Sequence, residues 1–226
     1  AARTTFPATT ATALTSLLTG TDAGVHGIVG YRARVPGTRT APNQLKGWET
    51  DGLDPFTWQR AQPLLERESA AGRRCFVVSK ASYAGTGFTR AIQRGAEFVP
   101  GGSPRERLEI AADLASRHPG SLVYVYLPEL DTIGHARGWE SDGWIAALEG
   151  LDAALSSFED QLDSGTGAVV TADHGMIDVP SHRQVLLRDG DDLLRDVELV
   201  AGEPRLHLLS RRGLRTPFLR IAKDGQ

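Results

Sequence analysis

The chain has 226 residues, of which 40% are hydrophobic and 23% are charged, so its composition is that of a globular protein and excludes disordered and fibrous classes. The net charge of -3 gives no general attraction to nucleic acid or acidic lipid, and no apolar run reaches the ~20 residues that span a bilayer. Cys75 is the single cysteine, which excludes an internal disulfide and fits a reducing compartment. We therefore predict one domain over residues 1–226, a cytoplasmic location, no membrane segment, and no nucleic acid polymer as a partner.

From the amino end, the sequence pattern alternates between helices and strands. Periodicity and capping signals predict helices over residues 8–18, 64–71, 104–116 and 144–162. Short apolar runs predict strands over residues 75–78, 122–127 and 167–171. This alternation predicts an α/β fold with a mainly parallel sheet that is flanked by helices on both faces.

The remaining segments have weaker patterns. Residues 30–63 and 84–102 are rich in Gly and are predicted to be long irregular connections, of the kind that often shape substrate pockets. Short apolar runs predict edge strands over residues 185–187, 197–200 and 205–209. We expect the tail, residues 211–226, to be a solvated end.

Two pairs of carboxylate and imidazole side chains follow predicted strands. Asp131 and His135 lie in the loop after the second predicted strand, and Asp173 and His174 directly follow the third. Open α/β sheets bind ligands at the carboxyl ends of their strands, and Asp and neutral His are good zinc ligands. Each pair also has a structural interpretation, in which Asp173 caps a helix, His174 forms a hydrogen bond, and the other pair is a surface coincidence. Together the pairs are what a two-zinc hydrolase needs.

A hydroxyl that can act as a nucleophile precedes both pairs, at Thr10 in the first turn of the first predicted helix. Pro7-Ala8-Thr9-Thr10, followed by Thr19-Gly20 and His26-Gly27, resembles the nucleophile region of the nucleotide pyrophosphatase and phosphodiesterase (type I phosphodiesterase) branch of the alkaline phosphatase superfamily. Residues 128–135 and 171–176 resemble the two metal motifs that follow in that branch. The order and spacing of the three motifs agree with the branch.

This resemblance implies an alkaline phosphatase-like fold and two Zn²⁺ ions, with other divalent metals as an alternative. Asp131 and His135 would bind one ion. Asp173 and His174 would bind the other, together with the oxygen of Thr10. As the nucleophile, Thr10 would attack phosphorus in line and form a covalent phosphothreonine, which water then releases. The implied function is hydrolysis of phosphodiester or pyrophosphate bonds in a small-molecule phosphodiester or nucleotide substrate.

The sequence also departs from the branch. An aspartate on a strand before the nucleophile and a histidine far towards the carboxyl end complete the zinc sites of the branch, and neither has a match here. His207 lies in an apolar run, which favours a core or edge position over a ligand. Tyr31 occupies the place where the animal enzymes have a phosphate-binding asparagine. We therefore expect the chain to be a partial domain, incomplete at both ends, that binds zinc weakly and is nearly inactive alone.

Several alternatives remain open at this point. A phosphonate or phosphomonoester hydrolase of the same superfamily would use the same ligands. Thr9 is the alternative nucleophile, one residue before Thr10. A non-catalytic metal-binding or interaction domain with the same fold is the alternative from a different functional class. Convergence of the nucleophile and the four metal-ligand candidates in space distinguishes an enzyme from that last alternative.

Overall fold

The central part of the chain forms a three-stranded parallel sheet, in a computed structural model that describes residues 3–188, 190–203, 206–211 and 218–221. Its strands are β1 (Cys75–Ser79), β2 (Glu97–Pro100) and β3 (Leu122–Val125), in the spatial order β2–β1–β3. The helices are α1 (Thr10–Thr19), α2 (Ala23–His26), α3 (Pro55–Trp58), α4 (Leu64–Ala70), α5 (Gly87–Ile92), α6 (Pro104–Arg117), α7 (Glu129–Arg137) and α8 (Asp142–Glu159). A second sheet contains β4 (Val197–Glu203), β5 (Leu206–Arg211) and β6 (Phe218–Ile221).

β1 is the central strand of the parallel sheet and is buried along its whole length. On one face, Val77 shares an apolar cluster with Leu14 of α1 and Ile92 of α5. On the other face, Val78 shares a cluster with Leu114 of α6. Full burial of each such side chain contributes about 1.5–3 kcal/mol, so the two clusters hold the helices against the sheet. The predicted α/β fold, with helices on both faces of a parallel sheet, is confirmed.

The predicted helix with the clearest capping signal forms as α6. The hydroxyl of Ser103 accepts a hydrogen bond from the backbone N–H of Glu106 at 3.1 Å, and Pro104 occupies the first helical turn. The Glu106 carboxylate accepts from the N–H of Gly102 at 2.9 Å, one residue earlier than a standard capping box would place it. Helices α1, α4 and α8 and strands β1 and β3 also form where the sequence predicts them.

The predicted irregular stretch 84–102 contains two elements that the sequence analysis missed. α5 has six residues and starts after Thr86, whose hydroxyl accepts from the N–H of Thr89. The first residue of this helix is Gly87, and a larger residue would not fit there because its Cβ would overlap the Trp48 side chain. β2 ends in Pro100, which is compatible with a position at the edge of the sheet. In this stretch Gly87 allows close packing and Pro100 ends an edge strand, so neither residue marks a loop.

The prediction of a buried strand over residues 167–171 is wrong. The segment has no strand partner among the described residues, and Val169 and Val170 are 92% and 70% exposed. An apolar run has the side chains that suit a strand, but a strand forms only where another strand satisfies its backbone N–H and C=O groups. β3 pairs with β1 on one side, and no described strand pairs with its other side.

The second sheet is antiparallel, with β5 between β4 and β6. It is joined to the amino-terminal half of the chain by two backbone hydrogen bonds between Arg32 and Gly202, at 2.9 and 2.7 Å. Two of the three predicted edge strands form, as β4 and β5, but β5 is the central strand of its sheet, and residues 185–187 are irregular with Val185 and Leu186 exposed. β6 lies in the tail that was expected to be solvated. The rest of that tail, residues 212–217 and 222–226, lies outside the described residues. Among the helices that the structure describes, none is both long and apolar enough to cross a bilayer.

Candidate active site

Thr10 is the first residue of α1, and its predecessor caps the helix. Thr9 is 1% exposed, and its hydroxyl accepts from the backbone N–H of Thr12 at 3.3 Å. The Thr10 hydroxyl is half-buried and lies 3.0 Å from Nε2 of His174, 164 residues later in the chain. Of the two adjacent hydroxyls, that of Thr9 caps the helix. The hydroxyl of Thr10 faces the imidazole of His174 at the amino end of α1, where the helix dipole is positive.

The loop expected to carry Asp131 and His135 is the helix α7. The two side chains are four residues apart on one face of this helix, with Nε2 of His135 3.4 Å from Oδ1 of Asp131. That Asp131 oxygen is buried and has no hydrogen-bond partner. A buried carboxylate oxygen without a partner is unfavourable, so this atom is available for a ligand.

His174 lies between the other candidate residues and is held in one tautomer. Its Nδ1 lies 2.9 Å from the carbonyl oxygen of Gly175, and because a carbonyl only accepts, Nδ1 carries the proton. In the neutral tautomer that this contact selects, the lone pair is on Nε2, the atom that faces Thr10. The same Nε2 lies 3.5 Å from Oδ2 of Asp173 and 3.9 Å from Oδ1 of Asp131. The structure thus brings Thr10, Asp131, Asp173 and His174 together, and His135 joins them through Asp131.

The segment that carries Asp173 and His174 is irregular, and it packs along α7 instead of following a strand. A Cβ at Gly134 of α7 would overlap the thioether of Met176, so the glycine permits this close contact. At the other end of the segment, the hydroxyl of Thr4 donates to the carbonyl oxygen of Asp173. The sequence motifs include Met176, but its role in docking the segment against α7 was not predicted.

Two tyrosines from β3 and its end lie near Asp173. Burial raises the pKa of the Tyr124 phenol above its usual range, and the negative charge of Asp173 raises it further. The pKa of Tyr126 is raised by the same two causes in the same order. Both phenols are therefore neutral at physiological pH and keep their protons for hydrogen bonding.

His26 of the first motif lies outside this cluster and has a structural role. It is fully buried, its Nδ1 accepts from the N–H of Ile28 at 3.1 Å, and its Nε2 therefore donates to the Ser16 hydroxyl at 2.9 Å. Burial lowers the pKa of His26 from 6.5 to about 4, against a small opposing effect of Asp22. His26 thus lies at a turn, since Gly27 ends α2 in the left-handed conformation.

The donors and their spacing fit zinc in pairs. Two ligands at the tetrahedral angle around an ion, with bonds of about 2.0–2.1 Å, lie about 3.3 Å apart. The separation within the pair on α7 is 3.4 Å, and that between His174 and Asp173 is 3.5 Å. In the described residues, however, no three His, Cys, Asp or Glu side chains surround one point as a complete metal site. Each pair therefore matches part of a site.

Other candidate groups are less well placed or are not described. The backbone of His207 lies in β5, and its side chain is outside the described residues. Among the described side chains, no arginine or lysine forms an ion pair or hydrogen bond with Thr10 or with the four ligand candidates. Among the described residues, the geometry therefore provides a hydroxyl together with oxygen and nitrogen donors, without a paired cation.

This chain is similar to a known protein family and to solved structures. A family model described as type I phosphodiesterase/nucleotide pyrophosphatase matches residues 1–221. Two solved structures of murine ectonucleotide pyrophosphatase/phosphodiesterase 5 each cover 93% of this chain. One, an inactive variant in complex with AMP, has a TM-score of 0.71 at 18% identity, and the chain covers 56% of it. The other has a TM-score of 0.70 at 19% identity, with 57% covered. At these identities the likeness shows the fold alone.

Curated relatives match a shorter part of the chain. The phosphopentomutase of Methylobacterium sp. (strain 4-46) is 38% identical over 113 residues, which are 50% of this chain and 26% of that protein. The phosphopentomutase of Rhizobium meliloti (strain 1021) is 31% identical over 115 residues, again 50% of this chain and 26% of the relative. The matched region spans about a quarter of the length of these relatives.

Proposed function

Because this chain belongs to the type I phosphodiesterase/nucleotide pyrophosphatase family, we propose that it supplies the nucleophile and metal ligands of an enzyme that hydrolyses phosphodiester or pyrophosphate bonds. Family and fold support a hydrolase of the alkaline phosphatase superfamily. One observation carries the finer proposal: the Thr10 hydroxyl lies 3.0 Å from Nε2 of His174, at the amino end of α1. We take residues 1–226 as one hydrolase domain, and the cytoplasmic location stays a prediction from the sequence.

In this proposal Asp131 and His135 hold one metal ion, and Asp173 and His174 hold the other together with the Thr10 oxygen. Two zinc ions, or other divalent metals, would lower the pKa of the hydroxyl and polarise the phosphate oxygens. The Thr10 oxygen attacks phosphorus in line and displaces the leaving alkoxide or phosphate, which gives a phosphothreonine. A water molecule then attacks that phosphorus, breaks its bond to Thr10, and restores the hydroxyl. The backbone N–H groups at the start of α1 face the substrate phosphate.

We propose that the substrate is a phosphodiester or nucleotide rather than a phosphomonoester. A monoester carries one more negative charge, and enzymes commonly bind that charge through arginine. Among the described residues no arginine or lysine pairs with the site. The solved neighbour in complex with AMP supports a nucleotide group in the substrate, and because AMP is itself a phosphomonoester it does not distinguish a diester from a monoester.

A second candidate is phosphoryl transfer on a phosphomonoester. It is favoured by the local similarity to phosphopentomutases, which reaches 38% identity over half of this chain. The kcat/KM ratio between an aryl phosphodiester and the corresponding aryl phosphomonoester distinguishes the two candidates. We expect the natural full-length protein to prefer the diester. A clear preference for the monoester would favour the second candidate and overturn the first.

The nucleophile is tested by substitution of two adjacent threonines. We expect Thr10→Ala to lower kcat for the diester by several orders of magnitude without loss of the fold, because it removes the attacking oxygen. Thr9→Ala is the matched control: it removes the cap of α1, which costs about 1 kcal/mol of stability, and it leaves the attacking hydroxyl in place. If Thr9→Ala abolishes turnover at a temperature where it is folded and Thr10→Ala does not, the nucleophile is Thr9.

A further inference from the structure

Arg107 of α6 has a fully buried side chain at the carboxyl edge of the parallel sheet. Its Nη1 donates to the carbonyl oxygen of Tyr126, just after β3, at 3.2 Å. Gly101, just after β2, passes so close to the Arg107 stem that a Cβ at this glycine would overlap it. The Nε of Arg107 also donates to the carbonyl oxygen of Ser103, at 3.3 Å. The Arg107 side chain therefore joins α6 to the ends of two strands: its guanidinium contacts the end of β3, and its stem lies against the end of β2.

The charge of this guanidinium is balanced by Glu129, in the first turn of α7. Nη2 of Arg107 donates to Oε1 of Glu129. Lys80, the residue after β1, lies with its Nζ 3.0 Å from the same oxygen. A buried guanidinium is strongly unfavourable without a counter-charge, so the fold retains the pair as a unit. The start of α7 is thereby tied to α6 and to all three strand ends.

Other contacts restrain α7 nearer its carboxyl end, where Gly134 lies against Met176 and the helix packs against α8. Pro128 at its amino end forms no side-chain capping hydrogen bond, and Gly134 is the one fully buried residue of the helix. Because an α-helix turns by about 100° per residue, Glu129 and Asp131 lie about 200° apart and face opposite sides. His135 is four residues after Asp131 and shares its face. The tether at Glu129 therefore restrains, from the amino end of α7, the direction in which the face with Asp131 and His135 points.

We propose that Arg107 is a positioning residue for the metal site. Through Glu129 it fixes the rotation of α7, and so holds Asp131 and His135 towards Thr10 and His174. Arg107 itself touches neither the substrate nor the metal. This inference rests on the proposed function for its consequence in metal binding, whereas the effect on α7 is independent of that function.

The test uses variants that separate charge burial from positioning. Arg107→Met leaves Glu129 half-buried without its main partner, so we expect a lower melting temperature and at least tenfold weaker zinc binding. Adding Glu129→Met removes the carboxylate that has lost its guanidinium partner and leaves Lys80, whose side chain is 34% exposed, to the solvent, so the melting temperature recovers. Zinc binding stays at least tenfold weaker, because the tether is still absent. Arg105→Met is the matched control, since Arg105 lies on the same helix and pairs with Glu109 on the surface.

Zinc affinity is measured by titration of zinc chloride into the natural full-length protein, and backbone amide hydrogen exchange is measured over residues 132–138. Weak zinc binding and fast exchange of α7 in the double variant, with both unchanged in Arg105→Met, support the proposal. Recovery of zinc affinity and of slow exchange together with the melting temperature would overturn it, because Arg107 would then be purely structural. If the parent protein does not bind zinc, the proposed function fails, and amide exchange alone decides whether Arg107 positions α7.

Discussion

His26 shows how one buried side chain links the fold to pH. Its imidazole is neutral because Nδ1 accepts from the N–H of Ile28 and burial lowers the pKa from 6.5 to about 4. Protonation would place a second N–H against the Ile28 donor and a charge in the core. The sequence around His26 does not indicate its protonation state, because the direction of its hydrogen bonds depends on Ser16 and Ile28 in the folded chain.

We predict that this histidine makes the protein less stable as the pH falls. The unfolded chain takes up the proton near pH 6.5 and the folded chain near pH 4, so the stabilisation is complete above pH 6.5 and is lost as the pH falls towards 4. Each pKa unit is worth about 1.4 kcal/mol, so the loss approaches about 3 kcal/mol. Urea unfolding between pH 7 and pH 4 measures it. In His26→Gln the free energy of unfolding should depend less steeply on pH. In His182→Gln, a change on the surface, it should depend on pH as in the parent. Equal slopes in all three would contradict the prediction.

At the scale of elements, α7 and the segment after residue 171 pack closely against each other. Gly134 leaves space for the Met176 thioether, and the contact holds Asp173 and His174 beside α7. Glycine inside a helix usually costs about 1 kcal/mol relative to alanine. The helix therefore gives up intrinsic stability at this position in exchange for close docking of the segment.

We predict that Gly134→Ala fails to stabilise the protein and lowers its activity, because the new methyl group displaces Met176. The control is Gly150→Ala in α8, where a Cβ would meet no atom within 4 Å and the change should stabilise by about 1 kcal/mol. In a Met176→Ala background, Gly134→Ala should stabilise as well. Urea unfolding of the parent, Gly134→Ala, Met176→Ala and the double variant gives the coupling free energy between residues 134 and 176. Additive effects at residues 134 and 176 would show that the two side chains do not compete for space.

Elements with local signals were predictable, and elements that depend on partners were not. α6 could be predicted because Ser103 and Pro104 define its start within the chain itself. The strand expected over residues 167–171 could not be judged from its apolar residues, since Val169 is 92% exposed and the ladder that would bury it depends on another strand. The short helix α5 was missed because Gly87 reads as a breaker, whereas its role is set by Trp48, far away in sequence.

At the scale of the whole molecule, the fold joins segments that are distant in sequence. The hydroxyl at the start of α1 meets an imidazole 164 residues later, while α7 supplies its pair from the carboxyl edge of the parallel sheet. The order of the motifs indicated which residues belong together. Their relative positions depend on β1 and β3 lying side by side and on α7 packing against α8, which no single motif encodes.

This assembly predicts that metal binding and folding are coupled. The unfolded chain does not hold the two ligand pairs together, so a metal that binds only the folded protein stabilises it, by about 2.7 kcal/mol at a concentration 100 times Kd. We expect zinc to raise the melting temperature of the natural full-length protein and a chelator to reverse the effect. Asp131→Asn with His135→Ala, and separately Asp173→Asn with His174→Ala, should each lower the zinc bound per chain and the thermal shift.

The matched control for these double variants is His182→Gln, which removes an exposed histidine outside the cluster and should keep the zinc stoichiometry and thermal shift of the parent. Zinc content by atomic emission and melting curves at several zinc concentrations measure both quantities. Loss of about half of the bound zinc in each double variant supports two separate ions, whereas loss of all of it in both would indicate one shared ion, since Nε2 of His174 lies 3.9 Å from Oδ1 of Asp131. Unchanged zinc content in either variant would exclude that pair as ligands, and the division of two plus two ligands would then be wrong.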